Sequence, residues 1–176
     1  MANHRTRREF LQAAPLAAAA SLPLAATIAS GSSLGEAPGL KPEPFQVFTA
    51  EKIGEAMKTF QTQFGQHYLF QPEALPLTIA MTTQEKTAAK EFEFHEGRDH
   101  VFLILEGATK FELGGIPKEP RNTKPGEWLA PASEGATTVE ARKGDMLVVP
   151  RGTPHRQSTE HGVVWILISS SGIAKS

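Results

Sequence analysis

Three of the six histidines in this 176-residue chain sit in frames suited to holding a metal ion. His95 and His100 lie in Glu91-Phe92-Glu93-Phe94-His95-Glu96-Gly97-Arg98-Asp99-His100-Val101-Phe102-Leu103-Ile104-Leu105-Glu106-Gly107. His155 closes Gly144-Asp145-Met146-Leu147-Val148-Val149-Pro150-Arg151-Gly152-Thr153-Pro154-His155. Side chains alternate along a strand, so Glu93 and His95 share one face while Phe92 and Phe94 share the other. Beyond the turn at Gly97-Arg98-Asp99, His100, Phe102 and Ile104 form a second same-face set. Imidazoles and a carboxylate on one interior face supply the nitrogen and oxygen ligands of a divalent metal. Glu93 also fits two other roles: a carboxylate that orients a ligand histidine, leaving a three-histidine site, or a general base. Glu91 falls two residues earlier, toward the rim. His67 and His161 have no such frame and are expected to be exposed.

The turn in the second segment has a mechanical reading. Gly144-Asp145 suits a tight reversal, and Pro150 has no N–H for a sheet ladder, so the strand is expected to stop there. Gly152 allows a backbone bend open to few other residues. The bend aims His155 inward at the start of the next strand; alternation then points Gln157 and Thr159 the same way and turns Arg156 outward.

These two segments resemble the paired motifs of the cupin superfamily. The second fits at every spacing: Gly144, five residues, Pro150, one residue, Gly152, two residues, His155. The family usually has Asn four positions later, where this chain has Thr159. The first motif fits in frame but not in letters. The family has His-x-His and then Glu before an aromatic-rich strand closing on Glu-Gly. Here Glu93-Phe94-His95 is followed by His100, so the first His and the Glu have exchanged places. The resemblance covers roughly residues 66 to 170. It implies a metal held by Glu93, His95, His100 and His155, in an all-β, double-stranded β-helix (jelly-roll) barrel. One divalent transition metal is expected, iron first, with manganese, nickel, copper or zinc as alternatives. Dimers are common in the superfamily, so a homodimer is compatible with the resemblance.

Elements of the right kind are legible around these motifs. Residues 66–170 read as many short strands with Gly and Pro turns: His67–Phe70, Leu77–Thr83, Lys90–His95, His100–Leu105, Thr109–Leu113, Thr137–Ala141, Met146–Val149 and Val163–Ile168. A polar, proline-bearing connection is expected from Gly114 to about Gly135. Before the barrel, residues 45–65 form a helical segment. Ile53, Met57, Phe60 and Phe64 recur at helical spacing, with Thr49 as N-cap and Gly65 as stop, and the stripe is read as core.

The amino terminus carries a different message. Arg7-Arg8 followed by Phe10-Leu11 and the Ala-rich run to Ala29 resembles a twin-arginine export signal, placed at residues 1–29. Residues 30–44, rich in Gly, Ser, Pro and Ala, read as a flexible linker. The segment is too short, too Ala-dominated and too broken by Pro15 and Pro23 for a membrane span, so no stable span is expected after cleavage. The expected partner is the twin-arginine export machinery, and the expected destination of this exported bacterial protein is periplasmic or secreted. The route carries folded proteins, which would let the site take its metal where copper and zinc are scarce.

Charge and composition narrow the function classes. The whole chain carries −1, and without the three arginines and one glutamate of residues 1–29 it carries −3. With no basic stripe, nucleic acid is not an expected partner. The absence of cysteine excludes disulfides and thiolate chemistry. The candidate pocket set Phe102, Ile104 and Gln157 mixes apolar walls with few polar groups, as for a small organic substrate or ligand. Trp165 fits either the pocket or the outer face, and Arg98 reads as a solvated turn residue or a guide for an anionic substrate. The leading reading is a metal-dependent oxidoreductase, dioxygenase-like, acting on a small organic molecule. The alternative is a non-catalytic metal- or small-ligand-binding module.

Overall fold

The computed structural model describes residues 45–73 and 75–172. The export signal at 1–29 and the linker at 30–44 lie outside the described residues. Among the described residues the elements are one helix, α1 (Ala50–Phe60), and then strands. These are β1 (Gly65–Phe70), β2 (Leu77–Gln84), β3 (Phe92–His95), β4 (Arg98–Leu113), β5 (Ile116–Lys118) and β6 (Arg121–Lys124). They continue with β7 (Glu127–Ala130), β8 (Ala132–Glu134), β9 (Thr137–Arg142), β10 (Met146–Val149), β11 (His155–Ser158) and β12 (Val163–Ser171).

Every strand pairing is antiparallel. One layer runs β1-β2-β12-β4-β10 and the other β9-β4-β11-β3-β7-β6, with β4 common to both. Up to Gly107, β4 pairs with β10 and β12; from Ala108 to Leu113 it pairs with β9 and β11. The two layers face each other across Phe102, Ile104, Val163 and Trp165 on one side and Phe111 and Ala141 on the other. Phe102 and Phe111 lie with ring centroids 4.9 Å apart. This double-sheet jelly-roll arrangement buries alternate residues of β4, His100, Phe102 and Ile104 and then Thr109 and Phe111. From Gln46 onward the chain forms one compact unit.

The change of layer happens at a single corner built from glycines. Gly107 has φ +73°, and a Cβ there would stand 2.0 Å from the carbonyl oxygen of Gly162. Beside it, Lys143 N donates to Gly107 O at 3.1 Å and Gly144 N donates to Ile104 O at 2.8 Å. The β9–β10 turn and the β11–β12 turn therefore cross β4 where β4 itself bends. No residue with a side chain fits so close a backbone crossing.

Several expectations about elements are corrected. Thr49 does cap α1, its Oγ1 accepting from Lys52 N at 3.2 Å, but the helix ends at Phe60, not Phe64. Gly65 is the first residue of β1, not a helix stop. None of the helix residues is buried; Ile53, Met57 and Phe60 are only half-covered, so the stripe is not core. An amphipathic period signals a face that avoids water without saying how completely it is covered. The stretch from Gly114 to Gly135 holds four short strands, β5 to β8, which its polar and proline content disguised. The expected strands 100–105 and 109–113 are one continuous strand, because Gly107 bends the chain without reversing it.

The corner makes a prediction. Gly107→Ala should destabilise the protein by more than about 2 kcal/mol in urea unfolding, combining backbone strain with a backbone clash. Gly135→Ala, with φ +78° but nothing within 4 Å of the new Cβ, should cost distinctly less. Equal losses would show that the close approach at Gly107 is not what holds the corner.

Candidate metal centre

The strands bring the three histidines together from both layers. His95 ends β3, His100 sits near the start of β4, and His155 opens β11. Their exposures are 5 %, 4 % and 4 %, and one nitrogen from each ring lies within 4.8 Å of the others. The alternation that aims them holds. Phe92 lies on the opposite face, buried beneath the Arg156 guanidinium 4.3 Å from its ring centroid, and Phe94 stacks on Trp128.

Local ties fix both histidine-bearing segments. Pro150 follows the last residue of β10, and Gly152, at φ +77°, donates its N–H to His95 O at 2.7 Å. Asp99 binds the same turn, accepting from Arg151 N at 2.8 Å and from Arg151 Nη2 at 2.5 Å. These Arg151 hydrogen bonds hold the Asp99 carboxyl down at about 2, so it stays charged. Two of the ligand-bearing segments are thus joined through backbone and a charge-assisted fork.

Each ring is also held on its Nδ1 side. His95 Nδ1 lies 2.6 Å from Glu127 Oε2, His100 Nδ1 lies 2.8 Å from Ser169 Oγ, and His155 Nδ1 lies 2.8 Å from Thr153 O. A carbonyl and a carboxylate only accept, so His155 and His95 carry their protons on Nδ1 and turn bare Nε2 lone pairs inward. Both of those Nε2 atoms are buried and have no hydrogen-bond partner. Buried polar atoms seldom go unserved, so these two orphans need an acid to face. The donor set fits a divalent transition metal: three imidazoles, with outer partners that fix ring orientation.

Glu93 stands beside this trio, outside its tight cluster. It is half exposed toward the cavity, and its Oε1 lies 3.5 Å from His155 Nε2. With His155 protonated on Nδ1, that contact sets a lone pair against an anionic oxygen. A cation between the two, or a second proton on His155, removes the repulsion. A hydrogen bond from His155, which requires that second proton on Nε2, and the charges of the three rings hold the Glu93 carboxyl below its ordinary value despite partial burial. Burial pushes His95 down, opposed by the Glu127 charge, and burial together with His155 and His95 pushes His100 down to about 3. Neutral imidazoles are the form that binds metal.

The remaining candidates fall into two groups. Phe102 and Gln157 line a cavity of about 180 Å³ beside His100 and His155, and Trp165 is on its wall, not on the outer face. Ile104, 1 % exposed, belongs to the apolar core cluster instead, one step too deep to meet a ligand. Gln157 gives its amide N–H to Gln84 Oε1 at 2.9 Å and accepts from Thr109 Oγ1 at 3.2 Å. Arg156 is turned to Glu112, bound at 2.7 Å through Nε and through Nη2. Arg98 is not free to guide a substrate, because its guanidinium pairs with Glu127. His161 is exposed, whereas His67 stacks on Phe60 with centroids 3.9 Å apart. Glu91, rather than reaching the centre, forms a surface fork with Arg121.

Glu127 is the functional residue that sequence reasoning did not single out. It opens β7 inside the stretch read as a connection, and the β3–β7 register sets it directly opposite His95. The available signal was Gly126 followed by Glu127-Trp128-Leu129-Ala130, a turn glycine ahead of an alternating run.

No protein-family model matches the chain, and no curated protein matches it. Among solved structures it is similar to a cupin superfamily protein from Desulfitobacterium hafniense, at 15 % identity over 62 % of this chain and 79 % of that one, with a TM-score of 0.45. It is likewise similar to KdgF from Halomonas sp., at 18 % identity over 61 % of this chain and 77 % of that one, with a TM-score of 0.44. The DMSP lyase DddQ from Ruegeria pomeroyi is similar at 15 % identity, over 67 % of this chain and 52 % of that one, with a TM-score of 0.45. The jelly-roll assignment rests on the strand pairing described above.

Two outcomes follow from this geometry. Glu127→Gln keeps the shape but removes the charge behind His95, and metal affinity should fall by about 10- to 100-fold in a competition titration, with the unfolding midpoint little changed. Unaltered affinity would leave Glu127 as an ordinary surface pair with Arg98. The second concerns acid. Well above pH 6.5 the His100 ring is neutral folded or unfolded; below it, the unfolded chain takes up a proton that buried His100 refuses until about pH 3. Metal-free protein should therefore lose stability as pH falls through that window, and His100→Gln should lose less. Parallel urea-midpoint curves for the two proteins would contradict the assignment.

Proposed function

We propose that this chain is an exported, mononuclear metal-binding jelly-roll protein that oxidises a small organic molecule in a metal-dependent, dioxygenase-like reaction. The observation that carries the metal is the pair of buried, partnerless Nε2 atoms on His95 and His155, facing His100 and the Glu93 carboxylate. His95, His100 and His155 are the ligands, with Glu93 as a fourth ligand or, off the metal, the base for a substrate proton. A metal with three or four protein ligands supplies an open position and acts there as a Lewis acid or redox centre. Iron is the first choice, with manganese, nickel, copper and zinc as alternatives that suit the same donors.

Phe102 and Trp165 wall the space beside the ligands and exclude water from one side of it. Glu93, half exposed at the cavity mouth, is positioned to take a proton from a bound molecule. Arg7-Arg8 in the amino-terminal segment supports export of the folded protein to the periplasm or beyond, with the metal acquired beforehand. A binding role without turnover is the second reading, favoured by one observation: no acid or base other than Glu93 lies free beside the histidines among the described residues.

Metal content tests the proposal. The purified mature protein should carry about one transition metal per chain, as a mononuclear centre requires, and His155→Ala should carry almost none. Glu93→Gln should hold metal more weakly if Glu93 ligates and equally well if it acts as base. A protein that takes up no metal on reconstitution, or a His155→Ala variant that binds it normally, would end this reading. Sending the chain through the unfolded-chain export route and recovering the same metal would separately remove the acquisition step.

A further inference from the structure

The cavity beside the histidines contains polar atoms that the metal reading does not use. Its inner wall includes Thr82 and Trp165, 6 % and 4 % exposed, which are register partners on β2 and β12. Thr82 Oγ1 and Trp165 Nε1 are both buried without a hydrogen-bond partner. An indole N–H only donates, so Trp165 requires an acceptor, and a hydroxyl beside it can donate to the same group. Trp165 also pairs in register with Ile104, four residues along β4 from His100. At strand spacing that places the register position of Trp165 and Thr82 about 13 Å of backbone along β4 from His100. The cavity therefore has a second polar end, distinct from the ligand nitrogens.

The charges around this end decide what it accepts. The one basic side chain on the cavity wall, Arg156, is already neutralised by the fork to Glu112. Glu93 adds a negative charge to the same wall. An anion entering here would lose its hydration without meeting a free cation, a cost that two neutral donors do not offset. Phe102, Phe111 and Leu167 add apolar surface to the same cavity. The geometry points to a ligand whose inner portion is an uncharged, hydrogen-bond-accepting group on an apolar body, held by Trp165 Nε1 and Thr82 Oγ1. An amide, ketone or alcohol oxygen meets that description; a carboxylate or phosphate does not. Trp165 and Thr82 thereby set specificity at a place the histidines do not reach. This assignment deepens the small-molecule reading above and rests on it, but it does not depend on a metal.

The test uses metal-free full-length protein and an isosteric probe pair, benzamide and benzoate, which differ mainly in charge. The chain has two tryptophans, Trp128 and Trp165, so the indole N–H region of a proton–nitrogen correlation spectrum should hold two signals, and Trp165→Phe identifies its own. Benzamide should move the Trp165 signal saturably and leave that of Trp128 in place. Thr82→Val should weaken benzamide binding by up to about tenfold, the loss of one net hydrogen bond. Benzoate should bind at least about tenfold more weakly than benzamide, from the desolvation of its charge. The Trp128 signal and the unfolding midpoint report whether each variant is folded. Equal or tighter binding of benzoate, an unshifted Trp165 signal, or unchanged affinity in folded Thr82→Val would each overturn the assignment; an unshifted signal would mean that water serves these donors. Because the metal is absent throughout, none of these failures bears on whether the histidines bind one.

Discussion

Three imidazoles within 4.8 Å of one another in a buried site cannot all carry charge, and that repulsion governs the architecture around them. Each ring therefore has a partner on its Nδ1 and leaves the other nitrogen to face its neighbours. The chain meets this with three different partners: a carboxylate across the strand pair, a hydroxyl from β12 and a backbone carbonyl two residues back. Each comes from a different piece of the fold, so the site forms only when both layers are assembled. The unmet need of the inward nitrogens is what a cation satisfies, and folding and binding are then coupled.

That assembly depends on the glycine corner. The histidines belong to strands β3, β4 and β11, which sit side by side because β4 changes layers at Gly107 while two turns cross it there. A side chain at that crossing would push apart strands that carry two of the three ligands. A few ångström of displacement matters little to an apolar core but much to a ligand set, whose distances tolerate only tenths of an ångström. The fold therefore places its tightest backbone approach near the element that most needs exact position.

How much of this was legible in the sequence follows from the range of each interaction. The histidine frames could be read because strand alternation is local, but Arg156, expected to turn outward, lines the same cavity as Gln157. Glu127 could not be read that way, since it meets His95 only through pairing of strands 32 residues apart, within a stretch whose prolines and charges imitate a loop. Arg98 was misjudged for the same reason, its partner being that same carboxylate. Ile104 follows the right alternation, but alternation fixes a direction and not a depth, so it faces the core instead of the cavity. The helix stripe shows a related limit: its period is plain, while its incomplete coverage depends on what lies opposite.

The distribution of charge around the centre suggests a division of labour within one cavity. Glu127 sits behind His95 with its charge answered by Arg98, so it orients the ring more than it adds negative potential. Glu93 is the anion that faces the histidines directly. A divalent cation held there keeps a net positive charge, because neutral imidazoles contribute none and Glu93 cancels only one unit. With such a cation bound, the histidine end would be electrophilic and would receive an anionic or strongly polar group. The Trp165 end, walled by aromatic rings and with its arginine already paired, receives only neutral polarity. A molecule with one strongly polar end and one weakly polar end fits such a cavity in a single orientation. Orientation of this kind converts a metal site from a store of cations into a centre that meets a chosen atom of its ligand.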